Sequence, residues 1–166
     1  MPTDLNVRPA LATDLKAVAN IYNQGIRGRS ATFETKERTP EDIVPWLERP
    51  HPFLVAEHFG EILGWVSGSE YRPRDCYRGV AEFSVYVAEE ARNQRVADAL
   101  MSVFLPACAA GGFWKILSRV FPENTASRAL CKRHGFREVG VYERHAQLGG
   151  VWKDVVIVER LLSETL

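Results

Sequence analysis

The stretch EFSVYVAEEARNQRVAD, Glu82–Asp98, decides the fold. Its first six residues alternate, so Phe83, Val85 and Val87 share one face of a strand while Glu82, Ser84 and Tyr86 share the other. The second face carries a carboxylate and two hydroxyls. Beyond the polar segment Arg92–Arg95 the apolar spacing changes, and Val96, Leu100, Val103, Phe104 and Ala107 fall on one stripe of a helix. Pro106 lacks a backbone donor, which predicts a kink or a shortened last turn at a cost of about 3 kcal/mol in a helix interior. A strand that passes through a polar loop into a helix points to a layered α/β or α+β domain.

Working outward, Leu5 to Arg8 reads as a short strand. Thr13 or Asp14 caps a helix whose stripe is Leu15, Val18, Tyr22 and Ile26, with Gly25 and Gly28 marking its fraying end. Thr39, Pro40, Glu41 and Asp42 begin a second helix that runs to about Glu48 before Pro50 and Pro52 stop it. Phe53–Glu57 and Ile62–Ser69 form a hairpin around Phe59-Gly60, and an Arg-, Pro- and Tyr-rich loop follows from Tyr71 to Tyr77. Downstream, Lys115–Phe121 is a strand and Asn124 caps a helix through His134. Gly135 ends that helix in the left-handed conformation, with Phe136 as the apolar contact beyond. Arg137–His145 and Val151–Leu162 flank a Gly149-Gly150 hairpin turn.

No repeat or linker interrupts the 166 residues, so a single domain over 1–166 is expected. Apolar residues make up 46% and charged residues 25%, the balance of an ordinary globular chain. Lys plus Arg and Asp plus Glu both total 21, which builds in no global attraction to nucleic acid or an anionic membrane. The most apolar run, Val96 to Trp114, contains Asp98, Pro106 and Gly111 and is a poor membrane span. The first fourteen residues hold no apolar signal core, and Met1-Pro2 is not a myristoylation start, so a cytoplasmic protein is expected. Cys76, Cys108 and Cys131 are odd in number and widely spaced, which fits a reducing cytosol. The four histidines show no metal-ligand spacing, and no metal is expected.

The stretches IYNQGI, SATFET, FLVAE, LGWVSGSEYRPRDCYRGVAEFSVYV, FPENTASRALCKRHGF and GGVWKDVVIVERLL follow one another over nearly the whole chain. Together they resemble the GCN5-related N-acetyltransferase superfamily. Within it they are similar to the phosphinothricin and methionine sulfoximine acetyltransferase branch, and most of all to its arsinothricin-detoxifying members. The resemblance implies one domain with a mixed, mostly antiparallel sheet of about seven strands and flanking helices. It implies acetyl-CoA as co-substrate, a small-molecule amino acid acceptor and a homodimer. The implied reaction is acetylation of the α-amine of a glutamate-like amino acid bearing a second oxyanion, with detoxification as the consequence. Two other functions stay open: acetylation of another small amine or a peptide N-terminus, and a catalytically weakened acyl-CoA-binding module.

The same resemblance assigns residues. The strand at Glu82–Val87 would splay from the next to admit the pantetheine arm, held by the backbone of Val85, Tyr86 and Val87, and an N–H there would polarise the thioester carbonyl. Arg92, Asn93, Gln94, Arg95, Val96, Ala97 and Asp98 stand where the superfamily cradles pyrophosphate on backbone N–H groups and a helix start. Arg95 occupies the usual first glycine and Asn93 another frequent glycine position, which sets acetyl-CoA affinity at issue. The guanidiniums of Arg92 and Arg95 either pair with phosphate or lie in solvent. Glu82 aligns with the general base, although an ordinary Glu near pKa 4.3 needs a raised pKa or a water relay to deprotonate an ammonium. Its other reading is an ion pair with an Arg of the preceding loop. Cys131 stands where the superfamily often has the Tyr that protonates the leaving thiolate, and is either that acid or a small apolar packing residue, with solvent or Tyr86 as substitutes. Asn124 is placed near the pantetheine as well as at the helix cap. Phe33, Arg72 and Arg74 match positions around the acceptor, where guanidiniums suit a small oxyanion. Tyr77 and Trp152 are wall or core candidates.

Overall fold

The computed structural model of the chain describes residues 3–162, so the Met1-Pro2 start lies outside it. Within it seven strands pair into one sheet: β1 (Leu5–Pro9), β2 (Phe53–His58), β3 (Glu61–Glu70), β4 (Val80–Val87), β5 (Lys115–Val120), β6 (Arg137–Leu148) and β7 (Val151–Leu161), in the order β1-β2-β3-β4-β5-β7-β6. Only the β4–β5 pair is parallel. The α-helices are α1 (Leu15–Gly28), α2 (Pro40–Ile43), α3 (Val96–Ala110) and α4 (Thr125–Arg133). This is the mixed, mostly antiparallel sheet with flanking helices that the family resemblance implies.

Local chemistry explains most element ends. Phe59 (φ 48°) and Gly60 (φ 81°) turn the β2–β3 hairpin, and Gly149 (φ 59°) and Gly150 (φ 79°) turn β6 into β7; paired positive φ matches the twist of the flanking strands. Thr39 and Asp42 form a reciprocal capping box, the Thr39 N–H donating to Asp42 at 2.9 Å and the Asp42 N–H to the Thr39 hydroxyl at 3.3 Å. The second helix departs from expectation after Ile43 and continues as a 3₁₀ turn over Val44–Glu48. Pro45 has no N–H for an i−4 carbonyl, and the Val44 N–H has already tightened onto Glu41.

Three further expectations are corrected. Gly25 is not at a fraying end: it is buried inside α1, and a Cβ built there lies 2.5 Å from Cε1 of Tyr86. The helix stops instead with Arg29 in the left-handed region at φ 54°. Asp14 does not cap α1 with its side chain; its carboxylate accepts from the Leu11 N–H at 2.8 Å and from Arg8 at 2.7 and 3.0 Å. Helix α3 runs through Pro106 to Ala110 without shortening, and Val103 faces solvent while Met101, Leu105 and Cys108 are buried. The buried stripe lies one step round from the predicted one.

Packing fills both faces of the sheet. On one, Phe83 meets Phe104 of α3 and Phe136, at centroid distances of 6.0 and 5.3 Å. On the other, Trp65 is fully buried among Tyr22, Trp46, Phe53 and Tyr86. Burying each such large apolar side chain contributes roughly 1.5–3 kcal/mol. Strand β4 is held unequally between these layers. Toward β3 the register is unbroken from Gly64–Val87 to Glu70–Ala81. Toward β5 it covers only Val80–Lys115, Ala81–Ile116 and Glu82–Leu117. The predicted splay therefore begins at Phe83, where a side chain takes over from the ladder: the Ser118 hydroxyl donates to the Phe83 carbonyl at 3.0 Å.

Candidate functional site

The diverging strands open a cavity of about 680 Å³, within the size range of ligand sites. Val85, Tyr86 and Val87 form one wall, α4 from Asn124 to Leu130 the other, and the turn into α3 closes one end. Both glycine-type positions of that turn keep left-handed backbone, Asn93 at φ 63° and Arg95 at φ 60°, although each carries a side chain. The cost is on the order of 1 kcal/mol for each, less for Asn, and the packing around the turn sustains it. Val96, Ala97 and Asp98 line the cavity and form the first turn of α3, whose N–H groups have no intrahelical carbonyl to meet.

The turn's side chains divide. Arg92 and Arg95 line the cavity and make no side-chain hydrogen bond or ion pair among the described residues. Gln94 does not line it: its amide donates to the Glu90 carbonyl at 3.3 Å on the other side of the turn. Asp98 offers the cavity its backbone, since its carboxylate is taken by Arg133 at 3.0 and 3.1 Å and by His134 Nε2 at 2.9 Å. Arg133 first, then His134, holds this carboxyl below the usual range, and the cluster ties α3 to α4 across the cavity mouth.

These features fit acetyl-CoA. Free N–H groups and two unengaged guanidiniums suit a diphosphate at one end, and a strand edge without a ladder partner suits the amide-bearing pantetheine arm. Among the described residues no group of three or more His, Cys, Asp or Glu side chains is placed to hold a metal ion. Among the described residues no helix is long and apolar enough to cross a membrane.

A narrower cleft of about 70 Å³ continues between β4 and β5, lined by Ser84, Ser118, Arg119, Asn124 and Cys131. Asn124 caps α4 as foreseen, its side-chain oxygen accepting the Ser127 N–H at 3.2 Å, and it lines both spaces. Its amide also donates to Ser30 at 3.4 Å, fastening the loop after α1. Cys131 is buried, and burial pushes its thiol up to about 11, so it holds its proton at neutral pH. Tyr86 belongs to the Glu82 face as predicted, but its ring is stacked on Trp65 at 5.1 Å. Burial raises its pKa, which leaves the hydroxyl a poor proton donor.

Glu82 stands one pleat before Ser84 on β4, with its side chain 22% exposed. Burial pushes its pKa above the usual carboxylate value, outweighing the opposing pull of Arg119 and then Arg72. The ion pair runs to Arg119 of β5 at 3.2 Å rather than to the preceding loop. Of the two loop arginines, Arg72 is the one that acts on Glu82; it also lies over the Tyr71 ring at 4.9 Å. Arg74 is exposed; its N–H donates to the Arg72 carbonyl at 2.8 Å, and its side chain makes no hydrogen bond or ion pair among the described residues. Phe33 packs edge-on against Phe121 at 4.9 Å, beside the start of α4. Tyr77 meets Tyr71 in the loop, and Trp152 is 56% exposed, so it is no core residue.

Arg119, Arg133 and Gly25 are the site residues that sequence reasoning missed. Arg119 and Arg133 carry no local signal: each meets its carboxylate across tertiary structure, at separations of 37 and 35 positions. Gly25 had a signal, a glycine one turn from the helix end, but it was read as fraying rather than as a close approach.

The model of the acetyltransferase (GNAT) family matches residues 17–136. A phosphinothricin N-acetyltransferase of Streptomyces coelicolor is 34% identical, over 96% of this chain and 97% of its own length. An L-methionine sulfoximine/L-methionine sulfone acetyltransferase of Pseudomonas paraeruginosa is 29% identical over 96% of both chains. The crystal structure of a phosphinothricin acetyltransferase from Sinorhizobium meliloti in complex with AcCoA superposes with a TM-score of 0.91 at 27% identity, covering 98% of this chain and 90% of the other.

Proposed function

We propose that this chain, which belongs to the acetyltransferase (GNAT) family and is an acetyl-CoA-dependent N-acetyltransferase, acetylates the α-amine of a glutamate-like amino acid whose side chain ends in a tetrahedral oxygen-bearing group, anionic in the phosphinothricin and arsinothricin types and neutral in the methionine sulfoximine type. The observation that carries this reading is a half-buried carboxylate, Glu82, ion-paired to Arg119 of the inner cleft wall and within the electrostatic reach of Arg72. The names of the relatives support the acceptor class.

The roles follow from placement. Arg92, Arg95 and the N–H groups of Val96, Ala97 and Asp98 hold the diphosphate, while Val85, Tyr86, Val87 and Asn124 hold the arm. Gln94 contributes through its backbone alone. Bound acetyl-CoA supplies a thioester, whose acetyl group passes to the acceptor nitrogen as the C–S bond breaks. Glu82 takes the ammonium proton, and the desolvation that raises its pKa narrows the gap to the acceptor amine. Arg72, Arg74 and Phe33 bound the acceptor side, Arg74 from solvent. Burial pushes the Cys131 thiol up to about 11, which makes it a weaker acid than an exposed thiol. We therefore assign thiolate protonation to solvent and the cleft wall to Cys131.

Three unpaired cysteines support a cytoplasmic setting. A homodimer is proposed on the exposed apolar side chains of β6 and β7, among them Val139, Val141, Tyr142 and Trp152; sedimentation of a monomer at working concentration would remove it. The test of function is CoA-thiol release with acetyl-CoA against phosphinothricin, arsinothricin, methionine sulfoximine, polyamines and a peptide amine. Turnover confined to the amino acids, and reduced about 10²–10⁴-fold in Glu82→Gln, is expected. Silence on all three amino acids with intact acetyl-CoA binding would overturn the acceptor assignment.

A further inference from the structure

Arg119 is the one charged side chain that lines the inner cleft among the described residues. It touches Glu82 through a single nitrogen at 3.2 Å, is 45% exposed, and makes no other side-chain hydrogen bond or ion pair among them. A guanidinium carries five donors, so most of its hydrogen-bonding capacity is unused. Glu82 has no other hydrogen-bond partner there. The groups acting on Glu82 are Arg119 from β5 and Arg72 from the β3–β4 loop, while β3 sets the uncharged Ser69 opposite it.

Resting on the acceptor class and base proposed above, we infer that Arg119 is an exchange partner: it neutralises Glu82 in the free protein and transfers to the second oxyanion of the bound acceptor, activating Glu82 as it leaves. The physical chemistry favours this order. A guanidinium beside a carboxylate stabilises the charged form and makes it a weaker base. A tetrahedral oxyanion accepts forked donors as a carboxylate does, and Arg119 has such donors to spare in the cleft wall. Once Arg119 has moved, desolvation acts on Glu82 with only Arg72 opposing, and proton affinity rises while the ammonium is in place. An acceptor without the oxyanion leaves Arg119 on Glu82 and reacts slowly even when bound. Arg119 is thus a positioning residue whose selectivity is exerted on kcat.

The experiment compares phosphinothricin, which carries a phosphinate, with methionine sulfone, whose side chain is neutral. The acidic limb of kcat/KM reports the base in the free enzyme, and that of kcat reports it in the complex. In the unaltered enzyme the kcat limb for phosphinothricin is expected at higher pH than the kcat/KM limb, and the two limbs for the sulfone should coincide. In Arg119→Met the free-enzyme limb moves up, the separation disappears, and kcat/KM for phosphinothricin falls about tenfold or more relative to the sulfone. Arg119→Lys should restore part of the separation. Calorimetric acetyl-CoA binding equal to that of the unaltered enzyme shows that the variants are folded. Coincident limbs for both acceptors, or equal losses on both with no pH shift, would overturn the exchange. Undiminished turnover by Glu82→Gln would overturn the base assignment itself, whatever Arg119 does.

Discussion

The two edges of β4 differ in what holds them. Its β3 edge is closed by backbone from Gly64–Val87 to Glu70–Ala81, whereas its β5 edge has three paired residues and then side chains alone. The closed edge backs onto a rigid aromatic layer, Tyr86 stacked on Trp65. The open edge is bridged by Ser118 to Phe83 and, farther out, by Asp98 to Arg133 and His134. A sheet admits a ligand without losing its order when one edge of a strand is secured firmly enough for the other to be left unpaired.

The largest effect is expected where the closed side is disturbed. Gly25→Val places carbon where a Cβ already lies 2.5 Å from Tyr86, in a layer with no slack. Thermal unfolding should show a loss of about 1–3 kcal/mol, and acetyl-CoA affinity should fall with it as Tyr86 is displaced from the cavity wall. Unchanged stability would mean that the aromatic layer is soft.

Asp98→Asn attacks the open side and should cost roughly 1–3 kcal/mol, because Arg133 and His134 lose their anionic partner. The sign with pH is fixed by the depressed carboxyl. Its stabilisation is present above the ordinary Asp value near 3.9 and is lost as pH falls through the lower folded value, so denaturant titrations of the two proteins should converge under acid conditions.

Ser118→Ala removes the one side-chain bond that bridges the split at Phe83 and should cost about 1 kcal/mol by denaturant titration; Phe83 keeps its β3 pairing. A loss several times larger would show that the bridge, and not the three-residue ladder, holds the sheet together. Arg95→Gly is expected to change stability least, by up to about 1 kcal/mol in the favourable direction, by removing a side chain at φ 60°. Its acetyl-CoA affinity should drop if the guanidinium meets phosphate, as measured by calorimetry.

The element order was legible because it rests on local rules: alternation in Glu82–Val87, the Thr39 box, the Asn124 cap, two positive-φ hairpin turns. The misreadings arose where tertiary contact decides. Gly25 serves a ring 61 positions away, and the buried stripe of α3 is set by the sheet beneath it. In the candidate site, Glu82, Asn124 and the Arg92–Asp98 turn were named through resemblance, whereas the ion-pair partner of Glu82 was not. Naming Arg119 requires the β4–β5 register, which no periodicity within either strand specifies. The left-handed backbone at Arg95 was hidden, since Arg does not favour it, whereas Asn93 is of a type that does.

The three-residue seam between β4 and β5 also divides the molecule in time. On one side lie β1 to β4 with α1 and α3 packed on them, on the other β5, β7 and β6 with their own antiparallel ladders. Such blocks open as separate cooperative units when little backbone joins them. Amides of β5 to β7 should therefore exchange with solvent as one group and those of β2 to β4 as another, with the ligand stitching the two into a single unit as it fills the gap.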